Sequence, residues 1–97
     1  MKTLALITHK INSQQAHWQF DKVMAAIAYD LDLSIVFAYD GLSQLQHSKM
    51  WLSLELYGVD KIYHLGNNII MPDTVLKSKN ISLNDLKRHI KAAELIL

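Results

Sequence analysis

Five histidines, His9, His17, His47, His64 and His89, carry most of the side-chain chemistry this chain could offer. None stands three to five residues from another, so no helical metal-binding pair exists, and a zinc site would have to be assembled from distant parts of the chain. Cysteine is absent, which excludes disulfides, thiolate metal sites and thiol nucleophiles. The three glycines, Gly41, Gly58 and Gly66, fit neither the phosphate-loop nor the dinucleotide fingerprint, and there is no Gly-x-Ser-x-Gly elbow. Serine, histidine and aspartate all occur, but no spacing nominates a triad. A phosphoacceptor receiver domain would need an acidic pair at the end of its first strand, where this chain has Thr8-His9-Lys10. The residue types alone point to no cofactor, no metal and no catalytic group.

Position is the remaining guide. Residues 34 to 66 read as an apolar strand ending in Asp40-Gly41, a helix stopped by Gly58, and a second strand, Lys61 to Leu65, ending at Gly66. Upstream, Thr3 to Thr8 is a continuous apolar run, as expected of a strand covered on both faces. A helix is expected over Gln15 to Leu31, with Ser13 as N-cap and Phe20, Val23, Met24, Ile27 and Leu31 on one face. The second strand spans Leu33 to Tyr39 and the second helix about Ser48 to Tyr57. A short strand is expected at Thr74 to Leu76. The last helix starts at the Ser82 N-cap with Asp85 three residues on, shows Leu83, Leu86, Ile90 and Ala93 as its apolar face, and leads into a short strand over Glu94 to Leu97. This alternation implies a three-layer α/β/α sandwich with a mainly parallel sheet of about five strands, in which the first two strands are central. The 97 residues suit one domain.

Open parallel sheets bind ligands beyond the carboxyl ends of their strands. His9, Asp40 and Asn67 follow the first three strands and are the weak pocket candidates. The plainer alternative makes His9 an exposed loop residue. It makes Asp40-Gly41 a tight turn, with glycine supplying backbone freedom and aspartate capping a neighbouring N–H.

A hydrophobic fraction of 51% is high for so small a domain, and the net charge of +1 gives no field for steering onto nucleic acid. Some of that apolar surface should be buried against another subunit. The second helix is the expected place, because Met50, Leu54 and Tyr57 share one side while Leu52 and Leu56 share nearly the opposite one, with Trp51 between. Trp51, Leu52 and Leu56 are the candidate interface residues; burying three such side chains contributes roughly 1.5–3 kcal/mol each, before the cost of association. The other reading covers them with the chain's own loops. No apolar run is long enough to span a bilayer, and Leu4 to Ile7 is too short for the core of a signal peptide, so the cytoplasm is the expected compartment.

The order and spacing of these segments resemble the TusC/DsrF branch of the DsrE-like sulfur-relay family. The likeness runs through the Thr3–Thr8 strand, Tyr39-Asp40-Gly41, the apolar Leu42 to Leu45, the phrase LELYGVDKIY over Leu54 to Tyr63, and the capped helix with its final strand over Ile81 to Leu97. The chain is shorter than the pattern after Gly41 and after Gly66. In that family the sulfur-carrying cysteine belongs to the TusD/DsrE-type subunit; the matching region here, Gly66 to Ile69, has no thiol. The resemblance therefore implies a DsrE-like fold and a non-catalytic subunit assembled with TusB-like and TusD-like (DsrH/DsrE-like) partners. Such a complex passes persulfide sulfur toward 2-thiolation of the tRNA wobble uridine. A DsrF-type subunit in sulfur oxidation and a self-associating small-molecule binding module of the same fold are the alternatives. No direct contact with nucleic acid or membrane is implied.

Overall fold

The computed structural model describes residues 2–47, 49–66 and 78–97, with the side chains of all of these except Gln46 and His47. Five parallel strands form one sheet in the order β4-β3-β2-β1-β5, namely β1 (Lys2–Ile7), β2 (Asp32–Phe37), β3 (Ile62–Leu65), β4 (Lys79–Ile81) and β5 (Leu95–Ile96). Among the described residues there are four α-helices: α1 (Gln14–Ala28), α2 (Leu42–His47), α3 (Ser53–Leu56) and α4 (Leu83–Ala92).

The α/β/α layering follows from the pleat. Ala5 and Ile7 of β1 and Leu33, Ile35 and Phe37 of β2 point to one face, where Val23 and Ala26 of α1, Leu45 of α2 and Leu54 of α3 meet them. Leu4 and Val36 point to the other face and meet Leu86 of α4 and Ile81. Covered on both sides, β1 and β2 lie inside the sheet and read as unbroken apolar runs. At the amino ends of the strands the Lys61 ammonium bonds to the Asp32 carboxylate at 2.6 Å, tying β3 to β2, and this hydrogen bond first and the charge second hold the Asp32 carboxyl below its ordinary range.

Both predicted caps form. The Ser13 hydroxyl accepts from the Ala16 N–H. Ser82 and Asp85 make a reciprocal capping box in which the Ser82 N–H and hydroxyl hold the Asp85 carboxyl low. Gly58 follows α3 in the left-handed conformation, φ 72°.

The structure refines the second helix, adds a strand, and limits the buried face of the last helix. The helix expected over Ser48 to Tyr57 is present in shorter form, as a 3-10 turn over Met50–Leu52 that runs directly into α3, and a separate helix, α2, precedes it. Trp51 and Leu54, three residues apart, share the side of this segment that enters the core, while Tyr57 is exposed. The fourth strand is Lys79–Ile81; it is a three-residue edge strand whose Lys-Asn-Ile sequence carries little strand signal, while Thr74 to Leu76 lies outside the described residues. On the last helix only Leu86 is fully buried, and Leu83 and Ile90 are exposed.

Candidate functional site

The candidate site is the carboxyl edge of the sheet, where the loops after β1 and β2 are bound to each other through backbone groups. The loop from Thr8 to Ser13 is shaped by the Ser13 hydroxyl, which donates to the Lys10 carbonyl at 2.7 Å, and by Asn12 in the left-handed region. Across from it, Tyr39–Gly41 forms a 3-10 turn that runs into α2. Three contacts close the gap. The Gln44 side-chain amide donates to the His9 carbonyl at 2.7 Å, the Ile11 N–H donates to the Ser43 hydroxyl at 3.0 Å, and that hydroxyl donates to the Asp40 carbonyl at 2.7 Å.

Gln44 is itself only 1% exposed, and its carbonyl accepts from the Trp51 indole N–H at 2.9 Å. Trp51 sits edge-on between Phe20, 5.0 Å away, and Phe37, 5.4 Å away. A buried polar relay therefore runs from the core tryptophan through Gln44 to the backbone at His9. Its polar atoms are satisfied, as burial requires.

Gly41 is fixed by space. A Cβ there would lie 1.8 Å from the Ile7 carbonyl oxygen, because the turn folds onto the end of β1 and the Ala38 N–H donates to that same oxygen at 3.0 Å. The left-handed residue of the turn is Tyr39, φ 55°, and the glycine contributes the missing side chain instead of the backbone freedom expected from the sequence. A bulky residue at positive φ is rare.

These contacts divide the candidate residues. His9 and Asp40 are brought to neighbouring loops, but each is held by its carbonyl, and both residues are exposed. Asn67 lies outside the described residues. Beyond β2, β3 and β4 opens a cleft of about 560 Å³ lined by Tyr39, Leu65, Asn80, Ile81, Ser82 and Leu83, and neither His9 nor Asp40 lines it. Among the described residues no group of three or more histidine, aspartate or glutamate side chains is arranged to hold a metal ion.

The interface candidates also part. Trp51 is 1% exposed and belongs to the chain's own core, so it is unavailable to another subunit. Leu52 packs partly against that core. Leu56 is 86% exposed, with Tyr57 exposed beside it. The period-based reading placed Leu52 and Leu56 together; Leu52 is half-buried against the core and Leu56 is exposed.

Toward the carboxyl end of β3, the His64 imidazole bonds through Nδ1 to the Ser78 hydroxyl at 2.7 Å, joining β3 to the start of β4. Burial pushes its pKa below the ordinary value, so the neutral ring is favoured in the folded chain. The unfolded chain takes up a proton near about pH 6.5 and the folded chain only at lower pH, so stability should fall as pH drops below about 6.5. The urea midpoint is expected to be lower at about pH 5.5 than at about pH 7, and His64→Asn should flatten that difference. An equal acid-side loss in the variant would refute the assignment.

Sequence reasoning had no handle on Gln44, Tyr39 or the true place of Trp51. A single glutamine within the apolar Leu42 to Leu45 and a tyrosine before Asp-Gly carry no periodic signal, and the aromatic cluster becomes visible only once α1 and β2 are stacked. No protein-family model matches the chain, and no curated protein matches it.

Proposed function

We propose that this chain is a structural, non-catalytic subunit of a cytoplasmic sulfur-relay complex. A partner's cysteine would carry the persulfide, toward 2-thiolation of the tRNA wobble uridine. The observation that carries this reading is the construction of the carboxyl edge: an edge where α/β sheets usually place their chemistry is here locked through backbone carbonyls, in a chain with no thiol. The nucleophile in sulfur transfer is a thiolate, so the chain's part is to position a neighbour. Leu56 and Tyr57, exposed together at the end of α3, offer apolar surface for TusB-like or TusD-like subunits. The same part would serve a DsrF-type subunit in sulfur oxidation.

Co-expression with TusB-like and TusD-like chains, followed by light scattering, tests this. A stoichiometric complex is expected, and Leu56→Asp should weaken it on the order of tenfold or more while leaving the circular-dichroism spectrum unchanged. No complex with any cysteine-bearing partner would overturn the proposal.

A second reading, a small-molecule binding module, is favoured by one feature, the cleft between Tyr39 and Leu83. Thermal stabilisation of the isolated chain by a small ligand, abolished by Leu65→Trp in the cleft wall, would mark that reading as the right one.

A further inference from the structure

Among the described residues the β5 edge of the sheet is open, and both helical layers flank it with exposed apolar residues. β5 pairs, among the described residues, only with β1. The register sets Leu4 against Ile96, and the Leu97 N–H donates to the Leu4 carbonyl at 2.8 Å. In a parallel ladder the residue between two bonded ones turns its N–H and C=O outward, so those of Ile96 face the free edge. An open row of this kind is a template for another strand.

The helical layers continue the edge. Gln19 and Val23 of α1 face the sheet, and Phe20 turns toward Trp51 and α3. At 100° per residue, Trp18 and Tyr29 fall on the opposite flank of α1. That flank is the one beside β5, where the Gln19 amide reaches the Leu97 carbonyl. Trp18 is 56% and Tyr29 80% exposed. Leu95 and Ile96 are exposed on opposite faces of β5. In the other layer, His89 of α4 stacks on Tyr63 of β3, which leaves Ile90, one helical step round, exposed on the flank away from β3.

We propose that this edge binds a second copy of the chain, β5 against β5 antiparallel, about a two-fold axis normal to the sheet. That axis keeps each face of the sheet on its own side. α1 then meets α1 and α4 meets α4, and the apolar flanks of both layers are covered at once. A single added peptide strand would satisfy Ile96 and leave Trp18, Tyr29 and Ile90 bare. The five side chains expose on the order of 500 Å² per chain, taking roughly 200 Å² for a large side chain in full exposure. With a polar rim, two such surfaces reach the roughly 1,200 Å² of a specific interface. The contact is isologous and closes on itself, the commonest form of symmetric assembly. It extends beyond the scaffold reading and stands independently of it, since no partner subunit takes part.

The test is the mass of the isolated 97-residue chain by light scattering from micromolar to near-millimolar concentration. The expected result is a concentration-dependent rise from 11.1 kDa to twice that mass. The double variant Trp18→Lys, Tyr29→Lys should raise the dissociation constant on the order of tenfold or more, whereas Leu56→Asp should leave it unchanged. Hydrogen exchange provides a readout on the unmodified chain: the Ile96 amide should become protected as concentration rises. A chain that stays monomeric throughout overturns the proposal. So does a dimer whose Ile96 amide exchanges at the same rate at all concentrations, or one that the double variant, shown folded by circular dichroism, leaves intact.

Discussion

Replacing Gly41 by alanine is expected to cost roughly 3–5 kcal/mol of folding stability, a large part of what a domain of this size possesses. The new methyl would meet the Ile7 carbonyl oxygen at 1.8 Å and its carbon at 2.5 Å. Both atoms belong to the backbone at the end of β1, and the same oxygen already accepts from the Ala38 N–H, so the obstacle cannot swing aside as a side-chain tip would. Gly58→Ala is the matched control. Its residue has φ 72° and open space around it, so only the left-handed penalty of about 1–2 kcal/mol applies. Urea unfolding of both variants should rank Gly41→Ala well below Gly58→Ala. The reverse order would mean that the turn does not close onto β1.

Trp51 is the other position with a large expected effect. Trp51→Ala removes the ring that fills the space between Phe20 and Phe37 and should cost about 3–5 kcal/mol. Trp51→Phe keeps most of the apolar volume but leaves the buried Gln44 carbonyl without its donor, for about 1–3 kcal/mol. The double variant Trp51→Phe, Gln44→Leu removes both partners of that bond and also the amide that holds the His9 carbonyl. Equilibrium unfolding should show strong coupling between the two substitutions. Additive losses would argue against the relay.

The sequence revealed the parts of the fold governed by local rules. β1 and β2 are apolar without alternation because helices cover both of their faces, and Ser13 and Ser82 announce α1 and α4 through capping chemistry alone. The region from Leu42 to Leu56 was legible only in part. From Met50 onward the helical period is matched by the 3-10 turn and α3, whereas α2 and its buried Gln44 carry no such signal. β4 was missed because its pairing with β3 is long-range and its residues are poor strand formers. At the carboxyl edge, the positions of His9 and Asp40 at strand ends could be read, but not that their carbonyls, rather than their side chains, are the groups in use.

Sulfur acceptance, read chain by chain as intact mass, tests the scaffold role most directly. The chain would be mixed with a cysteine desulfurase, cysteine and a cysteine-bearing TusD-like subunit, with parallel mixtures omitting each component. The scaffold role predicts that the partner gains sulfur, that its gain is faster when this chain is present, and that the mass of this chain does not change. A gain of one sulfur atom on this chain, or a partner loaded at the same rate without it, would contradict the role.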